Sequence, residues 1–279
     1  MTKISNNTGE MSFLEHLEEL RWHIVRSGVA ILVLAIIAFI FRNYLFDYVL
    51  LAPKNPDFFT NRFLCDLATK FNAPDLCINT TPLKLQNIKL AGQFSASIMV
   101  SLYTGVVIAF PYIIWEMWRF ISPALYENER KHARGSVAAI SIMFFTGALF
   151  GYFIIVPLMI NFLGGWQVSA EIVNDVTLED YLDRITFIPL ATGIIFELPI
   201  LMIFLTKVGI ITPEFMIQYR RHAIIVLMIV ASIITPPDVF SMILVVLPLL
   251  LLYEASILLT KRTLRKKIEV ESSELEIRN

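Results

Sequence analysis

Three groups of carboxylates stand in or beside apolar sequence. The stretch SFLEHLEELRWHIV holds Glu15, Glu18 and Glu19, FISPALYENERK holds Glu127 and Glu129, and the apolar run from Phe187 to Leu205 holds Glu197. Paired carboxylate oxygens fit the planar fork of a guanidinium, which lysine cannot copy, so the first two groups suit a partner carrying adjacent arginines. Plainer readings stand beside this one: an i,i+3 ion pair of Glu18 with Arg21 on a solvated helix, and a polar turn after Pro123. Glu197 poses a different problem, because an acid in lipid costs a few kcal/mol and survives by facing protein or water, by pairing, or by staying neutral. Its own run holds no basic residue, and Arg184 is roughly 20 Å away along a helix. A neutral or water-bonded carboxyl therefore fits better than a salt bridge. Pro199 lacks an N–H and frees a carbonyl one turn earlier, which favours a polar pocket. An acid that only fixes helix packing remains the alternative.

The elements that must position these groups are membrane spans. The 279 residues are 56% hydrophobic and 17% charged, against about 45–50% and 25% in a soluble domain. Apolar runs long enough to cross lipid cover roughly Val29–Phe46, Leu90–Trp115, Val137–Leu158 and Ile185–Leu205,. Two more, roughly Ala223–Ile234 and Val239–Leu259, are joined by TPPD. The fifth is short, either a span that thins the bilayer or half of a re-entrant hairpin. Both options return the tail to the side on which the chain began.

The expectation is an all-α polytopic protein of six transmembrane helices. Residues 1–28 form an N-terminal segment with an amphipathic surface helix, 29–259 the membrane domain with a long outer loop at about 49–89, and 260–279 the tail. Phe13, Leu17, Leu20 and Ile24 give that helix its apolar stripe, and Ser12 with Glu15 fits a capping box. Arg119, Arg130, Lys131, Arg134, Lys207, Arg220, Arg221 and the tail's KRTLRKK crowd one side, which places both termini in the cytoplasm. The polar start carries no cleavable signal pattern. Trp115, Trp118 and Trp166 read as interfacial anchors, Glu254 as a snorkelling acid, and Pro111, Pro157, Pro189 and Pro248 as kinks or stops. Cys65 and Cys77 both fall in the long outer loop, where an even pair suggests a disulfide contributing on the order of 3 kcal/mol.

Several functions find no support. A net charge of −1 gives no electrostatic footprint for nucleic acid,. His16, His23, His132 and His222 lie at span margins rather than at haem-ligating depth. Neither HExxH, a nucleotide-binding glycine loop nor CxxC occurs, so neither an enzyme nor a cofactor is expected. A proton-coupled transporter using Glu197 stays open.

HLEELR (His16–Arg21), FISPALYENE (Phe120–Glu129), FELP (Phe196–Pro199), ITPE (Ile211–Glu214) and TPPDVFS (Thr235–Ser241) come in the order found in TatC, the receptor subunit of the twin-arginine protein translocase, which the chain resembles from about Ser12 to Leu259. The resemblance implies six helices in a concave, cup-like arrangement in the cytoplasmic membrane. It also implies binding of twin-arginine signal peptides of folded cargo, single-span TatA- and TatB-type partners, more than one copy in the receptor complex, and drive from the protonmotive force. On the matching positions, Glu19 and Glu129 take the signal arginines, and Leu20, Arg21, Phe120, Pro123 and Tyr126 shape that site. Glu197, Asp238 and Met242 fall in the patch that receives a partner helix. Pro53 matches a proline of the first outer loop. The family often has Gln where Met242 stands, so an amide is missing from that patch, and the outer loop with its cysteines is longer than usual.

Overall fold

The structure, a computed structural model, describes residues 13–74, 77–80, 83–121, 133–166, 168–169, 171, 175–235 and 238–278. Helix α1 (Phe13–Ile40) runs without a break into the first span. The expected separate surface helix is thus the opening of the spanning helix itself. The segment holds no proline, and its lone Gly28 costs about 1 kcal/mol, too little to end a helix. The segment after the first span contains α2 (Phe59–Phe71) and strand β1 (Leu85–Gln86), followed by α3 (Gly92–Ile121). Helix α4 (Ala133–Phe150) continues through a π-helical turn (Gly151–Ile155) into α5 (Val156–Gly165). Strand β2 (Val176–Thr177), α6 (Leu178–Ile195), α7 (Leu198–Val208), α8 (Pro213–Gln218), α9 (Arg220–Ile234) and α10 (Val239–Arg278) complete the order.

Among the described residues, five helical stretches are long and apolar enough to cross a membrane: Leu17–Ile40, Gly92–Ile121, Gly135–Gly165, Leu178–Val208 and Val239–Arg265. The fifth run of the sequence forms α9, whose 15 residues reach about 22 Å. Helix α10 has 40 residues, and no break separates its apolar portion from the tail.

Helices α1 and α3 pack antiparallel. Phe39 meets Phe94 at one end (ring centroids 6.5 Å), Ala35 meets Gly105 in the middle, and His23 meets Glu116 at the other end. A Cβ on Gly105 would lie 2.8 Å from the Ile31 carbonyl oxygen, so only glycine permits this approach. The α4–α6 contact is similarly close: a Cβ on Gly193 would lie 2.8 Å from the Phe144 ring, and the Thr192 hydroxyl donates to the Gly147 carbonyl at 3.0 Å. The core continues through Ile155, Val156, Ile188, Ala231, Val245 and Leu249, all almost fully buried.

The Phe39 end is closed by a cap built from the long loop. Cys65 and Cys77 form a disulfide. Asn61, fully buried, donates to the carbonyls of Pro53 (3.1 Å) and Asn55 (2.7 Å) and accepts from Asn79 (3.2 Å). Asn79 also donates to the Pro157 carbonyl and to Asn161. Tyr152 and Tyr181 donate to the carbonyls of Val49 and Leu50, at the end of a π-helical turn (Leu45–Leu50) where helix carbonyls lack partners,. Pro157 has no N–H to offer the Phe153 carbonyl four residues earlier, and the Thr60 hydroxyl takes that role.

The two strands pair in parallel, Leu85 with Val176 and Gln86 with Thr177, tying the cap to the start of α6. Lys89 reinforces the tie through Glu179 (2.5 Å), whose carboxylate raises the lysine pKa above its ordinary value. Of the expected kinks, Pro111, Pro189 and Pro248 lie inside helices that continue past them, while Pro157 follows the π-helical turn.

Candidate functional site

The opposite end of the α1–α3 pair holds a carboxylate that span hydropathy did not single out. Glu116, on the last turns of α3, is 2% exposed. Its Oε2 lies 2.5 Å from His23 Nδ1 and 3.8 Å from Arg26 on α1, and its Oε1 accepts from Arg119 at 3.2 Å. Tyr112, one turn earlier on α3, turns its hydroxyl to the same carboxylate. A buried ion is tolerated when its oxygens are paired in this way. Helical spacing explains the intra-helix part: Tyr112, Glu116 and Arg119 share one face of α3, as His23 and Arg26 share one face of α1.

An open cavity of about 440 Å³ lies over this cluster, lined by Glu19, Trp22, His23, Arg26 and Arg119. Glu19, one turn before His23, is half-buried. No described residue forms an ion pair with it. Phe120 packs edge-on against the His23 ring at 6.0 Å. The arrangement offers a carboxylate, an indole face and two guanidinium groups around one opening.

The expected site residues divide. Glu19 lines the cavity, Phe120 abuts it, and Leu20 is half-buried on the same helix. Arg21 turns to the exposed face, where it pairs with Glu18 at 3.4 Å, as the spacing predicts, and lies over the Trp22 ring at 5.7 Å. Pro123, Tyr126 and Glu129 lie outside the described residues. The sequence reading passed over Glu116, His23, Arg26 and Arg119. A signal for half of the cluster was present, because Glu116 stands four residues after Tyr112 and three before Arg119. Nothing local announced His23, 93 positions earlier.

Glu197 sits where α6 stops and α7 begins, as the residue immediately before α7, with Pro199 at the start of the new helix. The spanning helix is therefore broken at the acid. Oε1 of Glu197 is buried without a hydrogen-bond partner among the described residues, and no described residue forms a salt bridge with it, in keeping with the isolation read from the sequence. Asp238 caps α10, its Oδ1 accepting from the Ser241 N–H at 2.6 Å while Oδ2 stays unpartnered among the described residues. Met242 packs against the core. No hydrogen bond among the described residues joins Glu197 to Asp238. Glu254, read as a snorkelling acid, accepts from Arg220 at 2.8 Å, linking α9 to α10. The pairing is decided by helix packing over 34 positions, beyond the reach of local sequence.

Residues 15–248 match the family model described as TatC, Sec-independent protein translocase protein. The TatC protein of Blattabacterium sp. subsp. Periplaneta americana (strain BPLAN) is 39% identical over 266 residues, covering 95% of this chain and 100% of that relative. TatC of Aquifex aeolicus (strain VF5) is 33% identical over 264 residues, covering 94% and 100%. Two crystal structures described as the twin arginine translocase receptor TatC, the second in DDM, superimpose with TM-scores of 0.68 and 0.71. They are 33% and 32% identical, and the matches cover 89% and 88% of this chain and 99% of each relative.

Proposed function

The chain belongs to the TatC family of Sec-independent protein translocase proteins, and on that premise we propose that it is the receptor that captures twin-arginine signal peptides on cargo. As a TatC protein it is a component of the twin-arginine export machinery and not an enzyme. In the proposed role, Glu19 and Glu129 take the two signal guanidinium groups as charge-assisted, bidentate pairs. Leu20, Arg21, Phe120, Pro123 and Tyr126 shape the surface around them. The observation that carries this reading is the cavity at the α1–α3 junction, where Glu19 faces an opening beside Phe120 and no described residue neutralises it.

The face bearing Glu19 is then cytoplasmic, where newly made cargo is found, and both termini lie on that side. TatA- and TatB-type single-span partners dock on the face presenting Glu197, Asp238 and Met242, several copies assemble in the receptor complex, and the protonmotive force drives transport. An unpartnered oxygen on Glu197 supports a polar contact offered to a partner helix,. Family membership favours export over the transporter reading of that acid.

The test is binding of a fluorescent twin-arginine peptide to the full chain in detergent. Glu19→Ala with Glu129→Ala should abolish binding, and replacing both signal arginines by lysine should weaken it. Equal affinity for both peptides would reduce recognition to charge attraction, and unchanged binding by the double variant would remove the site assignment.

A further inference from the structure

Resting on the receptor reading, we infer that Glu116 is the positioning residue of the guanidinium site: it offsets the excess positive charge of Arg26 and Arg119, so that Glu19 meets an incoming arginine without net repulsion from the lining. The cavity lining poses the problem. Its described members include one carboxylate, Glu19, and two guanidinium groups, Arg26 and Arg119. Those described members sum to one positive charge, which opposes a peptide carrying two arginines. Glu116 stands behind that lining and cancels its excess positive charge. Oε1 holds Arg119 and Oε2 faces Arg26, so both cations are turned toward a buried counter-charge. The contact with His23, 2.5 Å from Oε2, fixes the carboxylate against α1. Because His23 is one turn from Glu19, the same contact holds the Glu19 turn in place over the cavity. At 2% exposure, Glu116 itself is shielded from an incoming ligand. It acts through Arg26, Arg119 and His23 rather than by touching the peptide.

A unit charge on the order of 10 Å from a bound guanidinium changes affinity about twofold at the dielectric of water and about fifteenfold at an effective dielectric near 20. The experiment measures affinity of a fluorescent twin-arginine peptide for the full-length protein in detergent, at low and high salt. Glu116→Gln keeps the shape and an acceptor oxygen but removes the charge. It should weaken binding by about two- to fifteenfold, the loss shrinking as salt screens it. The triple variant Glu116→Gln, Arg26→Gln, Arg119→Gln leaves the group one charge more negative than in the parent, so it should recover binding at least to the parent's level. A purely structural carboxylate predicts the opposite, since the triple variant loses both ion pairs of the cluster. Arg26→Gln with Arg119→Gln alone leaves Glu116 intact and should tighten binding, which keeps the inference testable if Glu116→Gln folds poorly. Unchanged affinity in Glu116→Gln, no recovery in the triple variant, or weaker binding in the arginine double variant would each overturn the inference. Glu19→Gln separates this from the reading beneath it. If Glu19→Gln binds like the parent, the receptor site itself is misplaced. If Glu19→Gln abolishes binding while the charge series is flat, only the role of Glu116 falls.

Discussion

The tightest approach in the α1–α3 pair predicts how strongly the site depends on helix spacing. Gly105→Ala places a methyl 2.8 Å from the Ile31 carbonyl oxygen, 2.9 Å from the Ala35 nitrogen and 3.0 Å from its Cβ. Two of these atoms are α1 backbone, so no rotamer change relieves the contact. Carbon and oxygen separate comfortably near 3.4 Å, so α1 must retreat by about half an ångström. Overpacking of this kind costs about 1–3 kcal/mol, which for a chain of this length lowers the unfolding midpoint by roughly 2–10 °C. The retreat occurs between the Phe39–Phe94 contact and the His23–Glu116 contact, so it also loosens the 2.5 Å bond under the cavity. Thermal unfolding of detergent-purified protein measures the first effect, and peptide affinity the second. Gly28→Ala is the control: it lies on α1 with open space around its added Cβ and should be neutral or slightly stabilising. If Gly105→Ala unfolds with the parent, or Gly28→Ala falls as far, the close packing of these helices does not carry the stability assigned to it.

Two further predictions concern the cap. Cys65→Ser with Cys77→Ser opens a loop of separation 12 and should remove about 3 kcal/mol, seen as faster proteolysis between α2 and β1; equal protease resistance in parent and variant would refute that share. Asn61→Ala strips the Pro53 and Asn55 carbonyls and the Asn79 amide of a buried partner and should destabilise the protein by about 2–3 kcal/mol, while Asn79→Ala, whose side chain is less buried, should cost less by the same unfolding assay.

Much of the candidate site was readable along the chain because its parts repeat at helical spacing. Glu18 with Arg21, and Tyr112, Glu116 and Arg119, need only the geometry of one helix to be brought together. The disulfide was readable for a simpler reason, as the chain's two cysteines fall in the same long loop. The Asn61–Asn79–Asn161 network and the Arg220–Glu254 pair were not readable. Each joins residues from separate elements, and many polar residues of similar type compete for such a position in the sequence. The surface helix expected before the first span was a misplaced boundary: an amphipathic start and an apolar continuation are both helical, and hydropathy changes along α1 without any break in its hydrogen bonding.

The sequence by itself determined that this chain is a bundle of membrane-crossing helices, because burial in lipid is a property of contiguous apolar runs and needs no partner. It also determined the family, through short motifs kept in order. Only the tertiary structure decided that α1 and α3 lie antiparallel and that His23 meets Glu116 across 93 positions. It likewise decided that Arg26 and Arg119, from different helices, both reach the buried carboxylate of Glu116. The physical reason is that a charge's effect depends on which charges surround it in space, and a linear order of residues leaves that distance undefined until the helices have packed.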